Sequence, residues 1–236
     1  MILNQHWHDP VADSYVATIA HKVPGYHLLH ELTVDLLEAE LKRPAPRILT
    51  VGAGGGEEIM NLLHRTKDWH VTGVDPSKPM LDMAKHRVAQ LHMQERVTWH
   101  ELTLEKVPDE AVYDAAVSLL VFHFVQERER VPFLQEIARR IKPGAPFVMA
   151  SILGDMDSKA FQQELHMLSL FMERKGLGNE VFTSFKERLG DTTHLVSEED
   201  VRGHLTQVGF ENIRPYFQAG MIKGFICERG GREAEE

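Results

Sequence analysis

The apolar run Ile48-Leu49-Thr50-Val51 leads straight into Gly52-Ala53-Gly54-Gly55-Gly56, and this junction limits the possible folds more than any other feature of the chain. A short apolar run without polar alternation reads as a strand buried on both faces, as in a parallel sheet. Glycines behind such a strand allow a tight turn into a helix and let a ligand approach the backbone closely. From this point strand-like and helix-like segments alternate: strand 47–52, helix 56–66, strand 70–75, helix 77–93, strand 97–101 and strand 113–119. Alternation of this kind implies an α/β fold, a parallel sheet with helices on both faces.

The flanking segments have different patterns. Leu28, Leu29, Leu32, Leu36 and Leu37 recur at helical spacing, and Pro44 and Pro46 end that helix. Arg128 to Ile141 carries Val131, Leu134, Ile137, Ala138 and Ile141 on one stripe; Pro132 is read into its first turn, and Lys142-Pro143-Gly144 stops it before a strand from Ala145 to Ile152. Residues 155–190 interrupt the alternation with two helical patterns separated by Gly176 and Gly178. The first of these holds Phe161, Leu165, Met167, Leu168, Leu170, Phe171 and Met172, more apolar positions than one stripe needs. They could line an acceptor pocket, form a homodimer interface, or pack within the chain. A helix opened by Ser197, with Glu199 and Asp200 in its first turn, runs to Gly209, and strands 212–218 and 221–228 follow. The expected organisation is therefore an N-terminal helical segment (1–45), a core (46–153), a helical cap insert (154–192), a C-terminal helix with the last core strands (193–229), and a Gly/Glu-rich tail (230–236) predicted to be disordered.

A formal charge of −9 repels a polyanion at long range, which disfavours nucleic acid and favours a small-molecule acceptor. No stretch approaches the roughly 18 uncharged apolar residues of a membrane helix. Cys227 is the single cysteine, so no intrachain disulfide can form, and the start of the chain lacks the basic-then-apolar pattern of a signal peptide. These features predict a cytoplasmic protein. His6 and His8 flank Trp7 ahead of Asp9, but a chain terminus seldom fixes the three ligands a catalytic zinc needs, so no metal site is expected.

Asp75 closes the second strand, 19 residues after Gly56. An acid there can accept hydrogen bonds from both ribose hydroxyls of an adenosine. A dinucleotide is the competing ligand, but its fingerprint wants G-x-G-x-x-G with a pyrophosphate at the helix N-terminus. Glu57 and Glu58 at that terminus would repel a pyrophosphate without opposing a sulfonium ligand that carries an amino group.

On these residues the chain resembles the class I S-adenosylmethionine-dependent methyltransferases, in particular their small "type 12" branch. The matches are Leu49 to Gly56, Gly73-Val74-Asp75-Pro76-Ser77-Lys78-Pro79-Met80-Leu81, Tyr113-Asp114-Ala115-Ala116, Ile141-Lys142-Pro143-Gly144-Ala145, Val196-Ser197-Glu198-Glu199-Asp200 and Val208-Gly209-Phe210. The resemblance implies a Rossmann-like seven-stranded, mostly parallel sheet whose last strand is antiparallel, with S-adenosylmethionine across the carboxyl ends of the first strands. It also implies that Gly52, Ala53, Gly54 and Gly56 lie against the methionine and ribose parts. Asp75 would hold the ribose, Pro76 and Met80 would pack on the adenine, Thr103 and Leu104 would flank the adenine edge, and Leu119 and Leu120 would lie beneath the sulfonium. Most class I members carry acids where this chain has Thr50 and Thr103, so contacts at those two positions are expected to differ.

Methyl transfer from a sulfonium needs alignment and exclusion of water, with a base only when the nucleophile is protonated. The candidates for a catalytic role are His123, just past the fourth strand, and Tyr15 and Tyr26 in the N-terminal segment. Val23-Pro24-Gly25-Tyr26, the cap and the C-terminal helix are also similar to carboxy-S-adenosylmethionine synthases of tRNA wobble-uridine modification. Those enzymes use an arginine to hold the extra carboxylate. The matching position here is His204, with Arg202 two residues away, and a neutral histidine lacks the bidentate fork that selects a carboxylate. A third reading, motivated by Thr50 and Thr103, is a cofactor-binding module without turnover.

Overall fold

The computed structural model describes residues 18–231. Its sheet has seven strands: β1 (Arg47–Val51), β2 (His70–Val74), β3 (Val97–His100), β4 (Ala115–Leu119), β5 (Pro146–Ile152), β6 (Phe210–Ala219) and β7 (Ile222–Arg229). They lie in the order β3-β2-β1-β4-β5-β7-β6. The first five run parallel, and β7 is antiparallel to both β5 and β6. This is the mostly parallel, Rossmann-like arrangement the resemblance implied.

The helices are α1 (Tyr26–Glu40), α2 (Glu57–Arg65), α3 (Lys78–Gln90), α4 (Glu127–Arg140), α5 (Lys159–Arg174), α6 (Asn179–Arg188) and α7 (Glu198–Gln207). Successive strand residues point to opposite faces of the sheet, so each strand feeds two cores. Ile48, Val71, Val117 and Val148 join Leu29 and Leu37 of α1, Ile59 and Leu62 of α2 and Leu81 of α3 on one face. Leu49, Val74, Ala116 and Phe147 join Phe133 and Leu134 of α4 and Val201 and Leu205 of α7 on the other. At the base of the sheet Asp114 accepts from Arg47 N–H (2.8 Å), Arg43 Nη1 (2.6 Å) and Lys142 Nζ (2.7 Å), which joins the starts of β1, β4 and β5.

The segment between β5 and α7 forms α5 and α6. Phe161, Leu165, Leu168 and Met172 of α5 are buried in the first core, each worth roughly 1.5–3 kcal/mol of transfer free energy, while Met167 is exposed. The apolar excess of this helix is therefore consumed mainly by packing within the chain. Ser158 caps α5 by accepting from Phe161 N–H, and Ser197 caps α7 by accepting from Asp200 N–H.

Two expectations are corrected. Pro132 is not in the first turn of α4: the N-cap is Gln126 and Pro132 stands inside the helix, one turn further in than the pattern predicted. Its ring removes a single bond to the carbonyl four residues back, on the solvent-facing Arg128. The buried face of α1 includes His30 and Thr33, whereas Leu28 is 50% exposed. Leu29 and Leu37 are buried as the spacing predicted, with Leu32 and Leu36 half-buried, so only Leu28 falls off the buried face. Tyr15 and the His6–Asp9 motif lie outside the described residues, as does most of the predicted tail. Among the described residues no helix is long and apolar enough to cross a membrane.

Candidate functional site

The glycine loop follows β1 at the carboxyl edge of the sheet. Gly52, Gly54 and Gly56 have φ of 73°, 46° and 80°, a region that costs other residues roughly 1–2 kcal/mol. Gly52 and Ala53 N–H both donate to Val74 O, at 2.9 and 3.1 Å, which folds the loop over the end of β2. A Cβ at Gly52 would overlap Val121, and one at Gly56 would come within 2.8 Å of Ala84 Cβ on α3. These two glycines are required by the chain's own packing. Gly54 differs, since a Cβ there would make only ordinary contacts, Met80 Cε at 3.5 Å and Gly52 O at 3.8 Å.

Asp75 is bound to this loop. Its Oδ2 accepts from Gly54 N–H at 2.9 Å and its Oδ1 from Ser77 N–H at 2.8 Å, while its own N–H donates to His100 O at 3.1 Å. The carboxylate is thus fixed at the end of β2 by the Gly54 and Ser77 amides. Pro76 is half-buried beside it and Met80 is buried with its methyl against Gly54. The loop, the fixed acid and the Met80 floor therefore fit an adenosyl ligand.

The remaining candidates divide. Leu119 is buried at the end of β4. Leu120 has φ of 59° and donates its N–H to Ala150 O at 2.7 Å, a left-handed leucine that costs of order 1–3 kcal/mol and is held by the surrounding structure. Thr103 turns its hydroxyl back onto Glu105 (2.7 Å), and Leu104 is buried in the core under α4. Thr50 is buried, with its hydroxyl donating to Thr72 O at 3.1 Å, so it closes the sheet and does not face the loop.

His123 is buried in a short 3-10 turn after β4. Ile152 N–H donates to its Nδ1 at 3.4 Å and Ser151 Oγ lies 3.2 Å from the same atom, so Nδ1 is an acceptor and the proton sits on Nε2. Burial, with a smaller contribution from His194, lowers its pKa to about 3. A ring this neutral, with its bare nitrogen occupied, is suited to donating a hydrogen bond from Nε2 and poorly suited to abstracting a proton. Tyr26 opens α1 and meets His30 edge-on, with ring centroids 4.6 Å apart.

Three groups escaped sequence reasoning. Arg87 of α3 donates to Gly55 O and to Glu57, both at 2.6 Å, and clamps the loop from outside. His30 is buried with both ring nitrogens unpartnered among the described residues, and burial lowers its pKa to about 4. Tyr216 of β6 meets Thr33 of α1 at 2.9 Å. Their only sequence signal is a polar residue on an apolar face, and it cannot show what lies opposite.

At the position matched to a carboxylate-binding arginine, His204 has a buried Nδ1 without a partner among the described residues. Arg202 is engaged elsewhere: it donates to Glu198 and to Ile213 O at 3.0 Å and covers the Phe225 ring at 5.0 Å.

Comparison with known proteins agrees with this geometry. A methyltransferase-domain family matches residues 48–144. A carboxy-S-adenosyl-L-methionine synthase from Campylobacter hominis is 24% identical over 219 residues, spanning 93% of this chain and 92% of its own. One from Aeromonas hydrophila is 25% identical over 231 residues, spanning 96% and 91%. Among solved structures, a putative S-adenosyl-L-methionine-dependent methyltransferase from Methanococcus maripaludis superposes with a TM-score of 0.69 at 16% identity, covering 98% of this chain and 97% of that one. The 1,6-didemethyltoxoflavin-N1-methyltransferase of Burkholderia thailandensis, solved with S-adenosylhomocysteine, gives 0.61 at 16% identity over 93% and 87%. Over residues 48–144 the chain is similar to the methyltransferase-domain family, and its fold is the Rossmann-like one of these solved structures.

Proposed function

We propose that the protein transfers a methyl group from S-adenosylmethionine to a small-molecule acceptor, with the cofactor held by Gly52, Ala53, Gly54, Gly56, Asp75, Pro76 and Met80. The observation that carries this reading is the Gly54–Asp75 hydrogen bond of 2.9 Å, which joins the loop and the ribose acid into one receptor. When bound, S-adenosylmethionine supplies a methyl group on a sulfonium already activated for displacement. The chain's own residues then have three tasks. Asp75 and the loop orient the adenosyl part, Leu119 and Leu120 exclude water at the end of β4, and Nε2–H of His123 donates to and positions the acceptor. Thr103 and Leu104 flank the adenine edge through backbone and shape, since neither presents a free carboxylate. The −9 charge supports a small acceptor over nucleic acid, and the lone buried cysteine supports a cytoplasmic compartment.

The test is calorimetric titration with S-adenosylmethionine, followed by a labelled-methyl screen of small nucleophiles. No binding heat would refute the cofactor assignment. Binding without transfer to any acceptor would favour the silent-module reading.

A second reading is favoured by the curated relatives, which are carboxy-S-adenosyl-L-methionine synthases matched over nine-tenths of both chains. Against it stand His204 in the arginine position and the engagement of Arg202 with Glu198. Mass spectrometry of nucleosides that copurify with the protein decides between them: the carboxylated cofactor would reverse the order.

A further inference from the structure

One face of α3 lies along the glycine loop. Met80 Cε is 3.5 Å from where a Gly54 Cβ would sit, Ala84 Cβ is 2.8 Å from where one would sit on Gly56, and Arg87 Nη1 donates to Gly55 O at 2.6 Å. Residues 80, 84 and 87 recur at helical spacing and share one side of the helix. Arg87 Nη2 donates to Glu57 at 2.6 Å. Glu57 is the first residue of α2, and its other oxygen lies 4.0 Å from His27 Nδ1 of α1. One guanidinium thus ties the loop to α2 and α3 together.

The peptide planes of the loop show what this tie controls. The Ala53–Gly54 plane is held at both ends, because Gly54 N–H donates to Asp75 at 2.9 Å and Ala53 O accepts from Gly56 N–H at 2.8 Å. The Gly55–Gly56 plane is held by that same Gly56 bond and by Arg87 on Gly55 O. The Gly54–Gly55 plane is bracketed between them, and its Gly55 N–H donates to no acceptor among the described residues. Successive glycines lose more backbone freedom on ordering than other residues and have no side chains to limit it beforehand. Arg87 is the side chain that closes the second half of the bracket.

We propose that Arg87 is a positioning residue of the cofactor site, holding the Gly54–Gly56 turn in its ligand-receiving shape before S-adenosylmethionine arrives. The inference rests on the reading of Gly52–Gly56 and Asp75 as an S-adenosylmethionine site. Arg87 acts through the loop: it supplies in advance the ordering that binding would otherwise have to impose, which is how a preorganised site gains affinity. A guanidinium suits this task, since its rigid fork serves a carbonyl and a carboxylate from one plane. Burial would raise the Glu57 carboxyl, but its bond to Arg87 and the charge of that cation outweigh burial and hold it below the usual range. The pair is therefore charged at neutral pH. Its side chains are 23% and 18% exposed, so salt screens it less than a pair on the open surface.

The experiment compares wild type, Arg87→Met and Arg202→Ala, the last breaking bonds to Glu198 and Ile213 O away from the loop. S-adenosylmethionine affinity is measured by calorimetry, and amide hydrogen exchange by NMR on glycine-labelled protein, with Gly73 in the middle of β2 as the internal reference. Arg87→Met should weaken S-adenosylmethionine about 10-fold, whereas Arg202→Ala should stay within about 2-fold. In ligand-free Arg87→Met the Gly56 amide should exchange at least about 10-fold faster than in wild type, with Gly73 little changed. Unchanged affinity in Arg87→Met overturns the proposal. So does equal acceleration of Gly56 and Gly73, because a residue that only stabilises the whole fold would move both. If Arg87→Met does not fold, ligand-free wild type decides: a Gly56 amide already protected supports a loop ordered in advance, and one protected only after S-adenosylmethionine is added overturns it. Failure of wild type to bind S-adenosylmethionine would instead overturn the cofactor reading, a result distinct from equal binding by wild type and variant.

Discussion

Gly54 donates its amide to Asp75 across 2.9 Å, although the two residues stand 21 positions apart and on different strand ends. The loop's shape and the acid's orientation are therefore one structural fact. Replacing Asp75 by Ala removes a charge-assisted bond worth roughly 1.5–3 kcal/mol together with the ribose acceptor. We expect the S-adenosylmethionine Kd to rise at least about 10-fold by calorimetry, with a lower Tm; unchanged affinity would sink the assignment of this acid.

The glycines of the chain separate steric need from conformational need. Gly144, with φ of 75° and nothing within 4 Å of where an added Cβ would sit, should lose about 1 kcal/mol on change to Ala, from the left-handed backbone alone. Gly52→Ala carries the same backbone cost plus overlap with Val121, for a total of roughly 2–4 kcal/mol. Urea unfolding of the two variants checks the order, which equal losses would contradict.

Acid and base should destabilise the protein from opposite sides of about pH 6.5. The folded chain keeps His30 and His123 neutral down to about 4 and about 3, while the unfolded chain protonates both below 6.5. Glu58 acts in the opposite sense, because the folded chain keeps its proton up to about 8 and the unfolded chain loses it above 4.5. Between pH 5 and 6 the unfolded state thus holds about one extra proton, and stability should fall on acidification by roughly 1.4 kcal/mol per pH unit. Above pH 6.5 the unfolded-state histidines lose their protons and the Glu58 difference comes to dominate, so stability should fall again toward pH 8. Unfolding free energies measured from pH 5 to 8 test the maximum.

His30 costs the fold an unsatisfied buried ring. His30→Leu keeps comparable volume without the two unpartnered nitrogens, so it should stabilise by about 1–3 kcal/mol at pH 7 and remove most of the acid slope just described. A destabilised variant would show that the ring is satisfied by something these contacts do not include.

Arg202 belongs to the scaffold. Its change to Ala breaks the bond to Ile213 O and a half-exposed pair with Glu198, together worth about 1 kcal/mol. The S-adenosylmethionine Kd should stay within about 2-fold; a large loss of affinity would instead support a role for Arg202 at the ligand.

The alternation of apolar runs and amphipathic stretches determined the α/β class, because burial on two faces and on one stripe leaves different periods in the residue order. The same local chemistry marked the Gly52–Gly56 turn, the Ser197 cap and the Asp75 position. The interrupted alternation likewise marked α5 and α6 as two helices inserted after β5, though not which of their apolar residues would be exposed. Other features required the folded chain. That Thr33 meets Tyr216, 183 residues away, that Arg87 grips the loop, that Thr50 is closed off by Thr72 and that Glu58 lacks a side-chain partner among the described residues all follow from α1 lying over β5 and β6 and from the order in which the strands assemble. Periodicity shows which side of an element is buried. Only the tertiary structure decides what that side meets, because a polar side chain's pKa and hydrogen bonds are set by neighbours that the crossover connections bring in from distant parts of the chain.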